Sequence, residues 1–167
     1  MKARRPPQDP ESSSAAYLRA LTWLTARELS EGQVRIRLAD RGYSRAAIDA
    51  AVQRLLENRS LDDRRAAMAV ARAEMRVRGR GPGRVMGRLI TMRIDRDLAK
   101  EVVAEIFGET SEDDLLEAAL NRKLRGRSER LADPHERRKL VAHLIRQGYS
   151  GSAAVRAVRA KSRREEL

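Results

Sequence analysis

Five arginines crowd one stretch of this 167-residue chain: Arg76, Arg78, Arg80, Arg84 and Arg88. A guanidinium stays charged at physiological pH and presents a planar fork of donors, so such a cluster suits phosphate oxygens. Arg84 and Arg88 stand four apart, which puts them on one face of a helix. Arg80 lies in the glycine-rich segment 79–83, whose bare backbone could approach phosphates closely. The plainer alternative is a solvated arginine-rich face. With only 3% aromatic residues, base stacking is not expected to be a major term, and phosphate contacts read little sequence.

Other chemistries find less support. Asp62 and Asp63 could be imagined as a metal or acid–base pair, but adjacent acids at a helix start read as a cap whose charge suits the macrodipole. His135 and His143 are eight apart, with no third ligand and no triad partners nearby. The chain has no cysteine, which excludes thiol catalysis, disulfides and cysteine metal sites. Segment 79–83 lacks the spacing, lysine and hydroxyl of a nucleotide-binding P-loop, and no strand precedes it. We therefore expect no enzyme, no cofactor and no metal. Tyr43 and Tyr149 sit in equivalent turns, where they either pack between helices or touch a partner; Trp23 reads as core or as the filling of a seam.

The charge distribution frames these residues. Arginine outnumbers lysine 31 to 5 and the net charge is +12, a field that attracts polyanions. Arginine usage alone also follows from a GC-rich genome, so placement is the stronger signal. Residues 64–96 carry ten arginines against Glu74 and Asp95, whereas 97–121 carry eight acids against Lys100. The acidic stretch 101–117 could repel DNA, face a basic protein surface, or simply be solvated. No apolar run approaches a membrane span and no secretory-signal pattern opens the chain, so a soluble, cytoplasmic protein without membrane contact is expected.

The elements that must position these residues repeat. Val34, Leu38, Gly42, Tyr43, Ser44 and Val52 are answered 51 positions later by Val85, Leu89, Arg93, Ile94, Asp95 and Val103. A further 55 positions on, Leu140, Leu144, Gly148, Tyr149, Ser150 and Val158 restore the first version. Such self-similarity marks one supersecondary unit that cannot bury its apolar face alone. Each copy reads as three helices. In the first, Tyr17, Leu18, Leu21, Trp23 and Leu24 recur at helical steps; Ser30 with Gln33 forms a capping box before Val34, Ile36 and Leu38; and Ser44 caps a stripe of Ile48, Val52, Leu55 and Leu56. The second copy starts at Asp62, with Met68, Ala71, Met75 and Val77 inward, Pro82 in the first turn of the next helix, and Asp95 capping the last. Leu115, Leu116, Ala119, Leu120 and Leu124 open the third, and Asp133 with Pro134 starts its middle helix. The expected fold is all-α: three tandem three-helix repeats over 15–60, 61–109 and 110–161, stacked into an elongated, curved array, with a disordered tail over 1–14 and a charged tail over 162–167. By the repeat, Arg37 corresponds to Arg88 and to His143. The array is expected to be a monomer.

The wording of these repeats resembles the RecX family, regulatory proteins that modulate the bacterial RecA recombinase. The resemblance rests on Ala26-Arg27-Glu28-Leu29-Ser30, Leu38-Ala39-Asp40-Arg41-Gly42-Tyr43, Leu61-Asp62-Asp63, Gly81-Pro82-Gly83-Arg84-Val85 with Leu89, and Leu144-Ile145-Arg146-Gln147-Gly148-Tyr149-Ser150. It implies a protein that lies along RecA–DNA filaments, binds single- and double-stranded DNA with little sequence preference, and restrains recombinase ATPase and strand exchange in recombination, repair and the SOS response. The alternative is a general nucleic-acid binder using the same helices in helix-turn-helix fashion. One departure stands out. The family usually places glycine before the isoleucine of the second repeat, and here Arg93 stands there, which either shifts a turn or adds a contact. The candidate binding residues are thus Arg37, Arg76, Arg78, Arg80, Arg84, Arg88 and Arg93, with Tyr43 and Tyr149 as weaker partner contacts.

Overall fold

The computed structural model describes residues 7–165, without the side chains of residues 128, 129 and 165. Among the described residues the chain is helical with no strand: α1 Ser13–Leu24, α2 Glu31–Ala39, α3 Arg45–Glu57, α4 Asp63–Arg76, α5 Pro82–Thr91, α6 Arg96–Gly108, α7 Glu112–Leu124, α8 Pro134–Gln147 and α9 Gly151–Glu165, with a 3-10 turn at Ser128–Leu131. The all-α expectation holds. No helix among the described residues is long and apolar enough to cross a membrane. Of the tail expected over 1–14, residues 1–6 lie outside the described residues; Ser12 caps α1, and the Pro10 carbonyl accepts from the Ser44 amide at 2.9 Å. At the other end α9 continues through Glu165, and residues 166–167 of the expected charged tail lie outside the described residues.

Two compact units divide the chain. One holds the described residues up to Ala69 together with Leu89–Leu98, and the other holds Val70–Arg88 and the chain from Ala99 onward. The division falls inside α4, α5 and α6. The first unit's core joins Ala16 and Ala20 of α1 to Leu29, Val34 and Leu38, then Ile48, Val52 and Leu55 of α3, and Leu61. Small alanines let α1 approach α3 closely, so the inward stripe of α1 is narrower than its large apolar residues suggest. Leu18, read as inward, is 63% exposed, and Ile36 and Leu56 are also outward. The second unit's core gathers Leu116, Leu120, Leu124, Leu131, Leu140, Leu144, Ala153, Ala154 and Val158. Val77, assigned inward from its spacing, is 75% exposed because α4 has already ended at Arg76. Each fully buried leucine contributes about 1.5–3 kcal/mol, against about 1 kcal/mol for a typical cap.

Caps set where each middle helix starts and stops. Ser30 accepts from the Gln33 amide and Gln33 reaches back to the Ser30 amide, the complete capping box. The three helix ends share one hydrogen-bond pattern. Gly42, Arg93 and Gly148 each donate to the carbonyl three residues back, and Tyr43, Ile94 and Tyr149 each donate five residues back, the pattern of a Schellman-type stop. All three turning residues are left-handed, at φ +91, +64 and +97. Arg93 therefore does not shift the turn; it adopts the glycine conformation at a cost of about 1–2 kcal/mol.

The helix ends then meet. Between α2 and α5, the Ser30 hydroxyl donates to the Met92 carbonyl, and Gly32 lies so close to Arg93 that an added Cβ would fall 2.4 Å from Arg93 Cβ. Between α5 and α8, the Gly81 amide donates to the Gln147 carbonyl at 2.8 Å and the Gly83 amide to the Gly148 carbonyl at 3.0 Å. These are the same repeat positions in both junctions. The positive N-terminus of one middle helix faces the negative C-terminus of the next, satisfying groups that a lone helix leaves orphaned. One amide differs. The Glu31 N–H donates to Asp63 Oδ1 at 2.6 Å, whereas the equivalent Pro82 has no N–H to satisfy. Asp62 is the cap the sequence indicated, accepting from the Arg65 amide at 2.9 Å. Asp63 is half-buried, and burial pushes its carboxyl up while the Glu31 amide opposes the shift.

The first junction predicts coupling between Gly32 and Arg93. Arg93→Gly should raise stability by about 1 kcal/mol in urea denaturation. Gly32→Ala should cost more in the parent than in the Arg93→Gly background, by about 1 kcal/mol of interaction energy in a double-mutant cycle; strictly additive effects would contradict the contact. At Asp63, replacement by alanine should cost about 1–2 kcal/mol, because the Glu31 amide loses its acceptor, while Asp63→Asn keeps an acceptor and should stay within about 0.5 kcal/mol. Burial raises the folded pKa of Asp63 above its unfolded value, so the parent should gain on Asp63→Asn as pH falls from neutral toward 3.8.

Candidate nucleic-acid interface

The chain between α4 and α5 is where the arginine cluster meets the second junction. Glu74, on the last turns of α4, is buried and pairs with Arg78 one turn on; Arg80 Nε lies 3.9 Å from its other oxygen. Gly79, left-handed at φ +64, turns the chain back so that the Arg80 amide reaches the Glu74 carbonyl at 3.0 Å. The Arg80 guanidinium then donates to Gln147 Oε1 at 2.8 Å, and its Nε is buried without a hydrogen-bond partner. Arg80 thus ties the end of α4 to α8, and it also lines the open groove beside Arg84. This corrects the expectation for segment 79–83. The amides of Gly81 and Gly83 are taken by the carbonyls of Gln147 and of Gly148, the residue that caps α8, and a Cβ on Gly81 would lie 2.7 Å from the Gly148 carbonyl carbon, so the loop backbone is closed to phosphate.

The remaining arginines of the cluster point outward. Arg76, Arg84 and Arg88 are exposed, and their side chains make no hydrogen bond or ion pair among the described residues. Arg84 abuts the α8 C-terminus so closely that a Cβ on Gly148 would lie 2.3 Å from the Arg84 nitrogen. With Arg146 and Ile145, Arg84 lines an open groove of about 590 Å³ beside the junction. Arg88 follows one turn along α5. Arg37 and Arg93 belong to the other compact unit: Arg37 sits half-buried with its guanidinium 5.7 Å from the Trp23 ring centroid, a cation–π geometry, and Arg93 is exposed.

Both turn tyrosines are buried. Tyr43 is 9% exposed within the first core, and Tyr149 is 4% exposed in the second, where its hydroxyl donates to the Gly79 carbonyl at 3.4 Å. Burial pushes the Tyr149 phenol up. Both pack within their cores.

A second set of cations escaped the sequence reading. Arg122, Lys123, Arg125, Arg127 and Arg130 line a cleft of about 420 Å³ together with Arg78, Gly79, Ala119, His143 and Gln147. The signal was present as five cations within 122–130, but the run straddles the end of α7 and follows directly on the acidic stretch, so charge counted in blocks hid it. Arg122 reaches the Arg76 carbonyl at 3.5 Å, passing over Gly79, where a Cβ would fall 2.1 Å from its Nη1. Arg130 is held by Glu136, whose carboxyl Lys139 and Arg130 pull down to about 2. Burial, with Lys123, Arg146 and Arg80 adding to it, holds the His143 imidazole below its ordinary pKa. Among the described residues, no group of three or more histidines and acids is placed to hold a metal ion.

Comparisons with known proteins agree with this architecture. The family description "RecX, first three-helix domain" matches residues 16–55, the span of α1 to α3. The regulatory protein RecX of Mycobacterium avium is 31% identical over 158 residues, covering 93% of this chain and 91% of that protein. The regulatory protein RecX of Syntrophotalea carbinolica is 28% identical over 138 residues, covering 82% and 90%. The crystal structure of RecX from Lactobacillus salivarius superposes with a TM-score of 0.76 at 18% identity, over 89% of this chain and 96% of that one, which shows a shared fold. With its helix order, its middle-helix stops and its near-complete coverage of these relatives, the chain belongs to the RecX family of regulatory proteins.

Proposed function

We propose that this chain binds RecA recombinase filaments on DNA and restrains their ATP hydrolysis and strand exchange, acting as a monomer in the cytoplasm. The observation that carries the reading is the exposed Arg84 and Arg88 face of α5, unpaired among the described residues, in a chain of this family. Arg76 and Arg146 add charge near it, and Arg37 and Arg93 supply cations on the other unit. Guanidinium groups on a helix face can engage successive phosphates without reading bases. Protein contacts to the recombinase then supply what naked DNA lacks, which is why a filament is the preferred target over a free duplex.

The test compares binding to recombinase filaments on single-stranded DNA with binding to naked DNA at matched salt, with DNA-dependent ATP hydrolysis as the second readout. Preferential filament binding with lowered ATP turnover is expected. On naked single strands the log–log salt slope should fall by about 0.7 for each of Arg84→Gln and Arg88→Gln. Equal affinity for naked duplex with unchanged turnover would replace the regulator by a general nucleic-acid binder.

A further inference from the structure

The cleft at the end of α7 gathers more cations than the Arg84 and Arg88 face of α5 and has no part in the reading above. Its cations fall into two groups. Arg78 and Arg130 are neutralised by Glu74 and Glu136, whereas Arg122, Lys123, Arg125 and Arg127 have no acidic partner among the described residues. Among the described residues no carboxylate lines the cavity. Helix polarity accounts for part of this, because Arg122 and Lys123 sit in the last turn of α7, where cations are favoured. It does not account for Arg125 and Arg127, which lie beyond the helix. Arg125 is left-handed at φ +51, a strained conformation for arginine, and Gly126 continues the turn at φ +78. Packing like charges around a concavity costs folding energy that an anion would recover.

We propose that this cleft binds a run of consecutive phosphates, supplied either by a free polyphosphate chain such as that of a nucleoside triphosphate or by a nucleic-acid strand. Several separated cations call for several negative charges at a fixed spacing, which a single carboxylate does not provide. A volume of about 420 Å³ accommodates a short phosphate chain, and guanidinium forks match phosphate oxygens bidentately. His143, on the α8 wall, faces Arg78 and Arg80 from the α4–α5 connection, Lys123 and Arg122 from α7, Arg130 from the 3-10 turn, and Arg146 on its own helix. A bound anion offsets these charges and should raise the His143 pKa toward its ordinary value.

His143 makes the test direct, because the chain has only one other histidine, the exposed His135. Ring-proton NMR of the full chain is followed on adding inorganic tripolyphosphate, and separately a short single-stranded oligonucleotide, at constant ionic strength and without recombinase. The expected result is a saturable shift and an upward pKa change at His143, with His135 unmoved. Arg127→Gln, at an exposed side chain unpaired among the described residues, and Arg122→Gln should each weaken binding about tenfold. A response to tripolyphosphate alone assigns the free phosphate chain; a response to the oligonucleotide alone assigns the strand. Equal drift of both histidines, no shift with either ligand, or shifts that the arginine variants leave unchanged would overturn the proposal. With no recombinase present, that failure is separate from failure of the filament reading.

Discussion

The contact on which this structure depends is the meeting of helix ends, where the first turn of one middle helix closes on the last carbonyls of the next. An α-helix leaves amides unsatisfied at its start and carbonyls at its finish, and each costs free energy when buried away from water. Here α5 closes on α8 through the Gly81 and Gly83 amides, and α2 closes on α5 through the Ser30 hydroxyl. The approach leaves no room for a side chain at Gly32 against Arg93 or at Gly81 against Gly148, and only a tight fit at Gly83. Pro82 fits because the first turn of a helix has no intrahelical acceptor for the amide it lacks, and Asp63 serves the Glu31 amide where no proline stands. Glycine, proline and aspartate at these positions are consequences of one geometric demand.

The same demand sorts the arginines. Arg80 spans the second junction while lining the groove beside Arg84, and the backbone amides of its loop are taken. Arg78 is occupied by Glu74. Arg84 and Arg88 on α5 and the cations at the end of α7 stay exposed without an acidic partner among the described residues. The acidic residues are sorted in turn. Glu112 pairs with Arg156, and Glu117 with Lys161 and Arg164, so α7 fastens to α9 through its acidic half and turns its basic half to the cleft. Acids in the first turn and bases in the last also suit the helix macrodipole.

Much of this was legible in the residues. The capping box at Ser30, the first-turn prolines at 82 and 134 and the Gly-Tyr-Ser stops are local rules, and the structure keeps them. Apolar spacing was less reliable at its margins. Leu18, Ile36 and Val77 fit a helical stripe yet face outward, because α1 packs through alanines and α4 ends before Val77. What could not be read was long-range: Asp63 reaching Glu31 across 32 residues, Ser30 reaching Met92 across 62, and Gly79 leaving room for Arg122. Arg93 lay between the two cases. The sequence flagged it as a departure, but only the backbone shows that it keeps the glycine turn and that Gly32 makes room for it.

Native-state amide hydrogen exchange at Gly81 and Gly83 tests the junction most directly. Both amides lie at the start of a helix, where exchange is ordinarily fast, and the open first-turn amides of Glu112 and Asp113 in α7 give the internal reference. If the carbonyls of Gln147 and Gly148 hold them, Gly81 and Gly83 should be protected like the core amide of Leu120. Exchange as fast as Glu112 and Asp113 would mean that the helix ends do not close on each other, and the account of the arginines built on that closure would fall with it.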